Sequence, residues 1–120
     1  MATATSLTVS TPWQDGEPEA ALPLFQQARR LALQRGAERD ATVVMGDIAR
    51  LRAWQGEGEE ALRLHQEQLA VYERLGEVWA RAVALGDIAR LRAWQGEVEE
   101  ALRLHQERLT VNMQLGDLDG

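Results

Sequence analysis

Three sets of side chains in this 120-residue sequence have the means to do chemistry. His65 and His105 are the only histidines, and as a pair they would offer metal ligation or proton transfer near neutral pH. Glu57, Glu59, Glu60 and Glu67, echoed at Glu97, Glu99, Glu100 and Glu107, would serve as paired carboxylates if two of them shared a buried site. Asp47, Arg50 and Trp54, echoed at Asp87, Arg90 and Trp94, follow a D-x-x-R-x-x-x-W spacing. On a helix that spacing puts an anion, a guanidinium and a flat apolar ring on one face. This is the chemistry of recognition: arginine grips a carboxylate through two parallel hydrogen bonds, and tryptophan supplies contact area.

The catalytic readings weaken on inspection. Phe25 precedes His65 by the same interval that separates His65 from His105, so a ring packed between helices explains all three positions. No H-E-x-x-H or comparable second ligand accompanies either histidine. The glutamates fall on a helix face where they act as solubilising charge and dipole complements. Apart from Gly58 and Gly120 the glycines are spaced 10 or 20 apart rather than clustered into a phosphate-binding loop, and the serines are confined to the first ten residues. Neither catalysis nor a cofactor or metal is expected.

What must position the recognition set is a repeat. Residues 46–75 and 86–115 align without a gap and agree at 24 of 30 positions, an offset of 40. Carried backwards, the offset matches Gly16, Ala21, Leu22 and Gly36 to Gly56, Ala61, Leu62 and Gly76, a third and diverged copy. Glycines at 36, 56, 76, 96 and 116 punctuate the chain at an even interval, as left-handed helix caps would. A glutamate follows the turn at Gly16, Gly56, Gly76 and Gly96, placed for the positive end of the next helix dipole. Each period therefore reads as a helical hairpin, with first helices over 38–54 and 78–94 and second helices over 18–35, 58–75 and 98–115. In the last copy Trp79, Ala82, Leu85, Ile88 and Ala89 share one face and Ala101, Leu102, His105 and Leu109 another, and these faces are expected to pack together. Neighbouring hairpins must stack to finish the core.

Composition agrees with an all-α chain: aromatics are 5%, β-branched residues are few, and Ala, Leu, Glu, Gln and Arg dominate. A net charge of −6 and a pI near 4.9 argue against nucleic acid and anionic membrane as partners. The absence of cysteine excludes disulfides and fits a reducing compartment, and neither an export leader nor a run of about 20 apolar residues is present. A soluble, cytoplasmic protein is the expectation.

Leu85, Ile88-Ala89, Ala101 and His105, matched by Met45, Ile48-Ala49, Ala61 and His65, have the order and spacing of a tetratricopeptide repeat. The sequence resembles that family, in its longer subclass of about 40 residues per repeat. The resemblance implies a right-handed solenoid of about five helices over residues 13–120, with a partial repeat at 13–36 and full repeats at 37–76 and 77–116. Arg52 and Arg92 depart from the family pattern, standing where an aromatic is usual, and no proline closes the repeats. In the first copy the leading helix is replaced by SLTVSTPWQD, a poor helix former, so residues 1–12 are expected to be mobile, with Trp13 folding back over the first helix. Pro18 suits a first helical turn, whereas Pro23 is expected to kink its helix.

By the same resemblance the first helices line a concave surface that binds extended or helical peptides. The stripe Val43, Gly46, Asp47, Arg50 and Trp54, with Val83, Gly86, Asp87, Arg90 and Trp94, would lie there. Gly46 and Gly86 admit either close packing or close approach of a ligand, and the Asp–Arg sets either face a ligand or pair among themselves. The reading is a non-catalytic scaffold binding a protein or peptide through Asp47, Arg50, Trp54, Asp87, Arg90 and Trp94, with an acidic or C-terminal carboxylate as the recognised group. The alternative is a homo-oligomeric structural protein assembled through uncapped solenoid ends, where Leu102, Leu104, Leu109, Val111 and Leu115 await cover.

Overall fold

The computed structural model describes residues 18–119, so the mobility expected of residues 1–12 and the fold-back of Trp13 lie outside the described residues. Five helices follow one another: α1 (Pro18–Gln34), α2 (Glu38–Trp54), α3 (Gly58–Leu75), α4 (Val78–Trp94) and α5 (Val98–Asp119). No strand occurs among the described residues. Helix α1 carries on past Pro23, whose ring nitrogen has no hydrogen to give the carbonyl four residues earlier.

The same backbone figure closes the first four helices. Gly36, Gly56, Gly76 and Gly96 have φ of +72°, +86°, +72° and +83°, and each amide donates to the carbonyl three residues back. The next amide, of Ala37, Glu57, Glu77 or Glu97, then reaches back five residues, to Ala32, Arg52, Tyr72 or Arg92 at 2.8–3.0 Å. This paired closure satisfies carbonyls that a helix end otherwise leaves bare. Gly116 differs, because α5 continues through it. A glycine permits the left-handed turn without forcing it, and each glycine that takes the turn leads into a helix that packs back on its predecessor.

The glutamates after the turns act differently from expectation. Glu57 and Glu77 occupy the capping position without a capping side-chain bond. Their carboxylates are spent on arginines: Glu57 on Arg52 at 3.4 Å, Glu77 on Arg39 at 3.1 Å, and in the last copy Glu97 on Arg92 at 3.0 Å. Arg52 and Arg92 also donate to Gln55 and Gln95 at 3.3 Å, so the two residues that depart from the family pattern fasten the turns. The dipole-facing acids are the following pairs, Glu59 with Glu60 and Glu99 with Glu100.

Each helix packs on the next, α1 on α2 through α4 on α5. The most deeply buried residues are mostly small, Ala49, Ala61 and Ala89, with Leu51 and Leu85 as the large side chains among them. A continuous cluster from Ala61 and Leu62 through Ala82, Leu85 and Ile88 to Leu104 and Val111 joins both full hairpins.

Two details of the expected packing are corrected. On α5 the face against α4 is Ala101, Leu104 and Val111, all buried, whereas Leu102 and Leu109 point away and are exposed. A second helix in a stack has two apolar faces, one for its own hairpin and one for the next, and spacing alone merged them. Trp79 is also exposed, over a small cleft beside Arg108 and Asn112, because asparagine stands where the earlier copy has the bulky, buried Tyr72.

The structure also decides the role of Gly46 and Gly86. A Cβ at Gly46 would collide with the amide nitrogen of Gln68, and one at Gly86 would come within 3.3 Å of Arg108 Cδ, so close helix packing explains both. Their surroundings differ. Gly86→Ala meets only a long flexible chain and is expected to raise stability by about 0.5–1 kcal/mol through helix propensity. Gly46→Ala displaces a buried, bonded amide and is expected to lower it by about 1 kcal/mol. Urea unfolding of both variants checks the opposite signs.

Candidate functional site

Helices α2 and α4, the first helices of successive hairpins, bring most of their D-x-x-R-x-x-x-W residues to one groove. A cavity of about 320 Å³ opens there, lined by Arg50, Trp54, His65, Asp87, Arg90 and Trp94 together with Ala53 and Leu91. Five of the six candidate residues thus converge. The sixth, Asp47, does not line the cavity and instead holds Arg50, Nη1 to Oδ1 at 3.2 Å.

Asp87 is the centre of the arrangement. Its side chain is only 8% exposed, and it receives Arg50 Nη2 on Oδ2 at 3.1 Å and Arg90 Nη2 on Oδ1. The aspartate therefore pairs both within its own helix and across to the preceding hairpin. Arg50 is held by two carboxylates. Arg90 has one among the described residues, and half its side-chain surface faces solvent. Trp54 and Trp94, near the ends of their helices, are 55% and 74% exposed.

Beneath the groove lies a buried polar chain of which the sequence singled out only His65. Gln68 Nε2 donates to the Thr42 carbonyl at 3.1 Å, which leaves its Oε1 to accept Nδ1–H of His65 at 3.0 Å. His65 is buried and Phe25 half-buried at the corresponding place, as a packed ring requires. The exact repetition of His65 at His105 hid the difference between them, since among the described residues only His65 has an aspartate, Asp87 at 3.9 Å, brought over it by a following helix.

Burial lowers the pKa of His65, and the Gln68 bond and the Asp87 charge oppose that shift without cancelling it. Burial likewise raises Asp47, opposed by Arg50. For His65 the folded value lies below the ordinary one of about 6.5, so in the interval between them the unfolded chain binds more protons. His65 therefore contributes stability that is intact above about pH 6.5 and is lost as pH falls through that interval. The Tm is expected to drop between pH 7.5 and 5.5, and to drop less in His65→Phe, which borrows the ring of Phe25. Equal drops in the two proteins would remove His65 as the cause.

Two family models, each described as tetratricopeptide repeat, match residues 43–75 and 82–119, together more than half of the chain. The chain belongs to the tetratricopeptide repeat family. No curated protein and no solved structure matches it. Tetratricopeptide repeats are in general protein–protein interaction modules and typically non-catalytic. Both matched stretches here take in the residues of the α2–α4 groove. No helix among the described residues is long and apolar enough to cross a membrane.

Proposed function

We propose that this tetratricopeptide protein is a non-catalytic adaptor whose α2–α4 groove binds a peptide segment of a partner protein through a carboxylate. The observation that carries the reading is the convergence of Arg50, Trp54, Asp87, Arg90 and Trp94, from the first helices of two successive hairpins, on one cavity. Its volume is that of a small ligand site, and two arginines with two exposed indoles are the groups that grip a planar anion and cover an apolar side chain.

The roles within the set are unequal. Arg50 is tied to Asp47 and Asp87, so it braces the groove. Arg90 keeps an open edge of its guanidinium and is the residue that takes the ligand carboxylate, while Trp54 and Trp94 bracket the adjoining side chain. The two aspartates offset the charge of the two arginines, so binding draws on indole contact area and one charged pair rather than on a strongly positive field.

A peptide-display selection against the intact chain supplies the probe. Selected peptides are then compared with free and amidated C-termini by tryptophan fluorescence titration. Arg90→Ala and Trp94→Ala are each expected to weaken the best peptide about ten-fold or more, the scale of a recognition hot spot. Both residues are exposed, so helicity should persist. Peptides that bind equally well to both variants would overturn the reading.

A further inference from the structure

The nine residues EEALRLHQE occur twice, at 59–67 on α3 and 99–107 on α5, in two different environments. On α3, Leu62 and His65 are buried and Leu69 is partly buried, all beneath α4. On α5 the matching Leu102 and Leu109 are 56% and 53% exposed, and Met113, one turn beyond, is exposed as well. They form a stripe at helical spacing, and an exposed apolar stripe of this kind marks a docking face.

Polar groups on the same face are also incompletely served. His105 Nδ1 is shielded from solvent and has no hydrogen-bond partner among the described residues. Its copy His65 is served by Gln68, but the residue at Gln68's place is Arg108, which has only donors. Among the described residues Arg90, the copy of Arg50, has one carboxylate where Arg50 has two, and the second carboxylate of Arg50 is Asp87, brought by α4. In the preceding hairpin one helix therefore does three things: it covers the apolar stripe, sets an anion beside the histidine and completes the arginine.

We infer that the outer face of α5, with Arg90 at its edge, binds a partner helix of α4's own pattern: small and apolar residues over Leu102 and Leu109, and one carboxylate against Arg90 and His105. Charge and shape both point to this occupant, because α4 already meets the same requirements against a nearly identical surface. A second copy of this chain is a poor fit. Its two helices of the right pattern, α2 and α4, are each packed between neighbours, and α1, where Leu24 and Leu31 are exposed, carries arginines rather than carboxylates among its side chains described, Arg29 and Arg30, with Arg35 just beyond its end.

The probe is a labelled peptide of residues 78–94, VWARAVALGDIARLRAW, with both ends blocked so that it carries no terminal carboxylate for the groove. Such a short helix is only marginally formed alone and orders on binding. Fluorescence anisotropy with the intact chain is expected to show saturable binding, weakened about ten-fold or more by Leu109→Glu in the chain or by Asp87→Lys in the peptide. Leu109 is exposed, so the first change should leave the fold intact, which circular dichroism checks. Trp54→Ala, which impairs the groove alone, should leave this binding within about two-fold, so the two sites fail separately. The inference is overturned by absence of saturable binding, by equal binding to Leu109→Glu, or by equal binding of the Asp87→Lys peptide. It is also overturned if light scattering finds a dimer of the chain that Leu109→Glu dissolves, which makes a second copy the occupant.

Discussion

Leu62→Ala is expected to lower the unfolding free energy by about 2–5 kcal/mol, the range for removing a buried leucine side chain. Leu102→Ala, in the identical stretch EEALRLHQE, is expected to cost less than about 1 kcal/mol. Leu62 is 5% exposed and joins the cluster that holds α3 to α4, so its loss opens a cavity at the junction between hairpins. Leu102 loses only contacts that water already shares. Against a total stability of about 5–15 kcal/mol for a domain of this size, the first change removes a large fraction and should shift Tm by about 10 °C or more. Urea unfolding of both variants at low protein concentration decides the matter, and equal losses would contradict the burial pattern.

Asp87→Ala is expected to cost about 1–3 kcal/mol, the scale of charge-assisted hydrogen bonds lost from a buried acceptor. Asp47→Ala should cost less than about 1 kcal/mol, since Asp47 has one half-exposed pairing with Arg50. The asymmetry has a geometric source. Asp87 collects one arginine from its own helix and one from the preceding hairpin, so removing it takes Arg90's carboxylate, leaves Arg50 with Asp47 alone and loosens the junction. Both arginines reach solvent, which keeps the cost below that of stranding a buried charge. Chemical unfolding of the pair, run at low and high salt, measures the difference directly.

Much of this molecule was legible before its coordinates. The glycines at 36, 56, 76 and 96 gave the helix ends because a left-handed turn is strongly selective for glycine, and the D-x-x-R-x-x-x-W spacing named five side chains that line one cavity. The illegible part has a common cause. In nearly identical copies the same letters recur, but what surrounds each letter is set by a helix from the neighbouring repeat. Nothing in EEALRLHQE says that Leu62 is covered and Leu102 bare. The same holds for Asp47 and Asp87, and for His65 and His105. Gly46 and Gly86 were ambiguous for a related reason: whether a side chain or a ligand fills the space beside a helical glycine depends on Gln68 and Arg108, which belong to the following helix.

The closing figure shared by the first four helices bears on how such a molecule can change length. Since Gly56 and Gly96 have nearly the same φ, +86° and +83°, and the same pair of backbone bonds, excising residues 57–96 would join Gly56 to Glu97 at a turn like the one it now makes with Glu57. Hairpins can thus be added or removed at the turn without altering its backbone, and what a splice must refit is the side-chain contact between new neighbours, such as Gln68 on the Thr42 carbonyl.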